Sequence, residues 1–93
     1  MALLALARPG EHVYRLKYGP GLVAFQDSLP PEISLELTLA LADVCKDPVA
    51  HTKPYGEDDG VMRRLITPHL LAAVLIGRIP PMAVLVLDIQ RLG

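Results

Sequence analysis

Between Val61 and Arg91 the chain is almost continuously apolar, yet turn residues cut that stretch into strand-length pieces. Pro68-His69 separates Val61–Thr67 from Leu70–Ile76, and Gly77 to Pro81 separates Leu70–Ile76 from Met82–Arg91. A membrane-spanning helix needs ~20 uninterrupted apolar residues, far more than any of these pieces offers. The separators are short enough for hairpins, so the spacing predicts three consecutive antiparallel strands. Such a sheet must bury one face, and the rest of the chain has to supply the cover.

That cover is legible upstream. Pro31 suits the first turn of a helix, and Glu32 places negative charge at its positive end. Ile33, Leu37, Ala40, Leu41 and Val44 then recur at helical spacing, predicting a core stripe that continues to about Lys46, with Leu35 and Leu39 broadening it toward a neighbouring element. Asp47-Pro48 stops the helix. A shorter helix fits Leu22 to Ser28, between the turn Gly19-Pro20-Gly21 and Leu29-Pro30-Pro31. His12 to Tyr18 alternates as a strand half covered by core, and Val49 to Gly60 reads as a polar surface loop. The expected architecture is α+β: an N-terminal strand, two helices and a three-stranded antiparallel meander in one four-stranded sheet. With 93 residues there is material for one core, so residues 12–93 are expected to form a single domain. Residues 1–11, apolar up to the break at Arg8, Pro9 and Gly10, are expected to be a flexible or partner-packed leader.

Composition narrows the chemistry. A net charge of -1 gives no global attraction to nucleic acid, so any such role must rest on a local cluster. Aromatic residues make up 4% of the chain, leaving little for base stacking. Cys45 is the one cysteine, which excludes an internal disulfide, suits a reducing cytoplasm and reads as a core thiol in the long helix. Glu57-Asp58-Asp59 reads as a solvated turn, so no metal and no cofactor is expected, and Gly19-Pro20-Gly21 lacks the context of a phosphate-binding loop.

Four segments, in this order and at these intervals, carry a resemblance: Tyr18 to Pro30, ending in Leu-Pro; Cys45-Lys-Asp-Pro48; the hairpin Arg64-Leu-Ile-Thr-Pro-His-Leu-Leu-Ala-Ala-Val-Leu-Ile76; and Val84-Leu-Val-Leu-Asp-Ile-Gln-Arg91. Together they span roughly residues 12 to 91 and resemble the RelE/ParE superfamily of bacterial toxins, the toxin half of type II toxin-antitoxin modules. The resemblance implies a cognate antitoxin as partner. It also implies ribosome-dependent cleavage of mRNA in one branch of the family, blocking translation, and gyrase inhibition in another. On the matched positions, Arg64 and Arg91 are the expected catalytic, phosphate-contacting cations. Leu71 stands where the hairpin's second Arg is usual and Val74 where its Tyr is usual, and the chain ends at Gly93 without the C-terminal Tyr of several nucleases.

Cleavage by a 2'-hydroxyl needs a base, cationic donors for the charge developing on phosphorus, and an acid for the leaving oxygen. Arginine serves only the middle role. For proton transfer the sequence offers His69 at the hairpin tip, His51 in the loop, and Tyr14 and Tyr18 at the first strand. Lys53 and Arg63 are further candidates for RNA contact, although Arg63 and Arg64, adjacent on a strand, must point to opposite faces. The apolar residues Leu70 to Ile76 supply both faces of their strand. One face is then left to be covered by a partner, the antitoxin or a second copy of the chain, as an interaction surface would be, so the nuclease reading and that of a non-nuclease interaction protein both stand.

Overall fold

The computed structural model describes residues 14–92. The expected leader over residues 1–11, and the start of the first strand at His12 and Val13, lie outside the described residues. In chain order the elements are β1 (Arg15–Tyr18), α1 (Leu22–Asp27), α2 (Pro31–Lys46), β2 (Lys53–Pro54), β3 (Met62–Ile66), β4 (Leu70–Gly77) and β5 (Ala83–Arg91). The sheet has five strands, ordered β1-β5-β4-β3-β2. The additional strand is the two-residue β2, formed where the loop after α2 pairs Lys53 with Arg64 and Pro54 with Arg63. Its brevity, and the proline within it, are what hide an edge strand from any alternation pattern. The β3–β4 and β4–β5 pairings are antiparallel as expected, and β1 lies parallel to β5 on the far edge.

Both helices lie on one face of the sheet. Pro31 occupies the start of α2 and Glu32 its first turn, and the helix ends at Lys46. Ile33, Leu37, Leu41, Val44 and Cys45 are its buried residues. They meet Leu65 of β3, Leu70, Ala72, Val74 and Ile76 of β4, and Val84, Val86 and Ile89 of β5 in one continuous core. Full burial of one such Leu or Val contributes about 1.5–3 kcal/mol. Leu35 and Leu39 depart from expectation: they are 57% and 58% exposed and do not broaden the core. Leu37 and Leu41 already fill the strip beneath α2, and residues two positions away on a helix point elsewhere. At the entrance to α1, Gly21 has φ 79, a left-handed conformation that costs glycine little.

Strict alternation along Val84-Leu85-Val86-Leu87-Asp88-Ile89 would carry the carboxylate of Asp88 into the core. Instead Val74 pairs with Val86 and Ala73 with Asp88, leaving Leu87 as an extra residue in β5. This bulge resets the alternation, so Ile89 is buried and Asp88 is exposed.

Candidate functional site

Among the described residues, the sheet's second face carries no helix. It presents Met62, Arg64 and Ile66 from β3, Leu71, Ala73 and Leu75 from β4, and Ala83 and Leu85 from β5, all exposed or half-buried. Lys53 lies directly opposite Arg64, and Arg64 opposite Ala73, so the two cations stand side by side on neighbouring strands. Residues paired in this way have Cβ atoms about 4.5–5.5 Å apart, and like charges so placed repel. Among the described residues neither cation has an ion-pair partner. His51 completes the group: with Ala50, Thr52, Lys53, Arg64 and Ile66 it lines an open hollow of about 160 Å³.

What holds this arrangement lies beneath it. Arg63 is 5% exposed and points to the helix side of the sheet. Its Nε donates to Thr52 Oγ1 at 2.6 Å, its Nη2 to the Thr52 carbonyl at 3.1 Å and its Nη1 to Asp58 Oδ1 at 3.1 Å. The Thr52 hydroxyl in turn donates to the carbonyl of Pro48. With Thr52 drawn inward, its neighbours His51 and Lys53 are exposed. Arg63 is therefore corrected from an RNA contact to a buried strut, because its guanidinium is already committed on the wrong face. The acidic run is likewise more than a solvated turn: Asp58 pairs with Arg63, and Asp59 Oδ1 accepts the amides of Val61 and Met62 at 2.8 and 3.0 Å. Those two bonds hold the Asp59 carboxyl below its ordinary range. Among the described residues no three His, Cys, Asp or Glu side chains gather around a point that would suit a metal ion.

Arg91 is not brought to Arg64. It pairs with Leu70, whose side chain is buried on the helix side, so by register the two arginines belong to opposite faces. Arg91 instead shares a separate open hollow with Pro68, His69 and Leu92. Val74 also needs correcting: it is fully buried in the core, so it replaces no side chain of the open face, whereas Leu71 does stand there.

Tyr14 and Tyr18 serve packing. Tyr14 packs on the core. The Tyr18 hydroxyl donates to Gln26 Oε1 at 2.7 Å, and Gln26 Nε2 donates to Thr38 Oγ1 at 2.9 Å, joining β1 to both helices. Burial, with Cys45 and Asp27 nearby, pushes the Tyr18 phenol above its ordinary range. Burial also raises the Cys45 thiol, as befits a core cysteine.

Glu36 is the polar residue that sequence reasoning missed. It is half-buried beside the core stripe of α2, and its carboxylate accepts the hydroxyl of Thr67, the amide of His69 at 2.9 Å and the His69 Nδ1 at 2.8 Å. These hydrogen bonds lower its pKa from 4.5 to about 2. A carboxylate three residues after Ile33 and one before Leu37 was the available signal.

No protein-family model matches the sequence, and no curated protein does. Among solved structures, the chain is similar to a chain of the toxin-antitoxin complex RelBE2 from Mycobacterium tuberculosis, with 16% identity, a TM-score of 0.68, and coverage of 85% of this chain and 98% of that one. The two chains share an α+β fold, the architecture that the sequence resemblance implied.

Proposed function

We propose that the chain is the toxin component of a type II toxin-antitoxin module and cleaves mRNA on the ribosome, with Arg64 and Lys53 as its phosphate-binding cations. The observation that carries this reading is the pairing of Lys53 with Arg64 beside His51. Two cations facing each other without an anion destabilise a sheet edge, and a phosphodiester would relieve that repulsion. In the proposed reaction the substrate's 2'-oxygen attacks phosphorus, the bond to the 5'-oxygen breaks, and a cyclic phosphate and a free 5'-hydroxyl result. Arg64 and Lys53 stabilise the charge on the phosphoryl oxygens, and His51, which lines the same hollow, is the imidazole available to carry a proton. The likeness to a chain of a toxin-antitoxin complex supports an antitoxin as partner. The open sheet face, with Leu71 and Leu75, is the surface we assign to it, in a cytoplasmic setting.

A second reading is a member of the same fold that binds a protein, gyrase or only its antitoxin, without cutting RNA. The apolar Leu71 at the open face, where a second cation is usual in the nucleases, favours it, and the same face would suit a homodimer.

The two readings part in one experiment: regulated expression in bacteria, with mRNA ends mapped on stalled ribosomes for wild type, Arg64→Ala and Lys53→Ala. Cleavage that falls about 10²–10³-fold in Arg64→Ala supports the nuclease. Growth arrest without new mRNA ends supports a protein target. Neither arrest nor cleavage would sink the nuclease reading and leave the antitoxin-binding one.

A further inference from the structure

At the other end of the meander three elements converge around a second hollow without help from the Lys53–Arg64 group, two lining it and α2 supplying the partner of His69. Glu36 comes from α2, His69 from the turn between β3 and β4, and Arg91 from the end of β5. The turn and the strand end are tied directly, since the amide of Leu92 donates to the carbonyl of His69 at 2.8 Å. His69 and Arg91 are thereby held as neighbours through the backbone, and with Pro68 and Leu92 they line an open hollow of about 660 Å³.

His69 is held in an unusual way for a surface residue. Its side chain is 56% exposed, a condition in which an imidazole ordinarily rotates freely, yet Nδ1 lies 2.8 Å from the Glu36 carboxylate. The backbone amide of His69 and the hydroxyl of Thr67 donate to the same carboxylate, so Glu36 is fixed before it fixes the ring. Because Glu36 is ionised at neutral pH, Nδ1 must carry the hydrogen, which leaves Nε2 as the free nitrogen of the ring. A proton on Nε2 then completes an ion pair with Glu36 and offers an N–H outward. Arg91 adds a permanently charged fork whose geometry matches two oxygens of one oxyanion.

We infer that this hollow is a binding site for a phosphate group carried on an organic moiety, with Arg91 and His69 as donors and Glu36 as the residue that positions His69. A permanent cation beside a ring nitrogen able to take up a proton disfavours a metal ion and suits an oxyanion. The apolar surfaces of Pro68 and Leu92 beside them suit the organic part of a phosphate monoester or diester. The inference goes beyond the toxin reading and does not depend on it, because the residues differ and lie on the other face of the sheet.

The test is heteronuclear NMR of the full chain, following the ring resonances of the histidines during titration with inorganic phosphate, adenosine 5'-monophosphate or a 2'-O-methylated dinucleoside phosphate, at ionic strength matched with chloride. The expected result is a saturable shift of His69, weakened about tenfold or more by Arg91→Ala, whose side chain is exposed and whose loss leaves the core intact. Glu36→Gln should also weaken binding by freeing the ring. If that variant is too unstable to titrate, Arg91→Ala decides alone. A monoester preferred over the diester points to a terminal phosphate, and the reverse to a nucleic-acid backbone; both support the site. Arg64→Ala should leave the His69 response unchanged while lowering any mRNA cleavage about 10²–10³-fold, so the two proposals can fail separately. No saturable His69 shift with any of the three probes, or an equal shift in wild type and Arg91→Ala, would overturn the inference.

Discussion

The guanidinium of Arg63 holds Thr52 by both its hydroxyl, at 2.6 Å from Nε, and its carbonyl, at 3.1 Å from Nη2, beneath the strand pair that carries Lys53 and Arg64. One buried side chain thus sets the register between a two-residue edge strand and the rest of the sheet. Arg63→Ala would leave the buried hydroxyl and carbonyl of Thr52 with fewer partners, and is expected to cost about 1–3 kcal/mol. Arg63→Lys keeps the charge but not the fork, and should recover less than half of that loss. Asp58→Asn should cost less than about 1 kcal/mol, because the Asp58 side chain is 67% exposed and its ion pair is screened by solvent. Urea midpoints of the three variants check the order. An Asp58 variant as damaging as Arg63→Ala would show that the ion pair, not the grip on Thr52, holds the loop.

Leu37 and Leu39 separate the two roles of leucine in α2. Leu37 is fully buried and Leu39 is 58% exposed. Leu37→Ala is expected to cost about 2–5 kcal/mol, the lost transfer energy plus a cavity the sheet cannot collapse into. Leu39→Ala should change stability by no more than about 0.5 kcal/mol. Thermal or chemical denaturation of the pair decides. Equal losses would mean that Leu39 is covered in solution, by a second copy of the chain.

Much of this fold could be read from residue spacing because the relevant forces are local. Pro31 and Pro48 bound α2, the stripe Ile33, Leu37, Leu41 and Val44 faces the core, and Pro68 and Gly77 divide the meander. What could not be read depends on partners distant in sequence. β2 exists only because β3 is there to pair with it. The bulge at Leu87 is visible only once Ala73 is matched to Asp88. The same holds for the candidate sites. Arg64 and Lys53 were legible as cations, but their adjacency is a property of strand register. The resemblance groups Arg91 with Arg64 as phosphate-contacting cations, whereas its pairing with Leu70 puts it on the opposite face of the sheet. Glu36 and His69 are 33 positions apart, beyond any motif.

If Lys53 and Arg64 each contact a phosphate, their contribution to RNA binding must depend on salt. Each phosphate contact made to single-stranded nucleic acid adds about 0.7 to the magnitude of the slope of log K against log salt. Lys53→Ala and Arg64→Ala should each flatten that slope by about 0.7, and the double variant by about 1.4, for a short single-stranded RNA measured between low and physiological salt. An equal loss of affinity with an unchanged slope would assign the two residues to holding the loop rather than the RNA.

Glu36 links the fold to pH, and the sign follows from its hydrogen bonds. The donors from Thr67 and His69 hold its pKa at about 2 against an ordinary 4.5, so the folded state favours the ionised carboxylate. A group depressed on folding contributes stability that is fully present above its ordinary pKa and is lost as pH falls toward its folded value. Wild type should therefore lose stability between about pH 5 and pH 2, and the difference in stability between wild type and Glu36→Gln should shrink over the same interval. Asp59, also lowered, titrates in both proteins and cancels from that difference. Urea denaturation of wild type and variant at intervals from about pH 6 to pH 2 measures it. A difference that stays constant with pH would mean that Glu36 ties α2 to the β3–β4 turn by shape and hydrogen-bond count, with its charge contributing nothing.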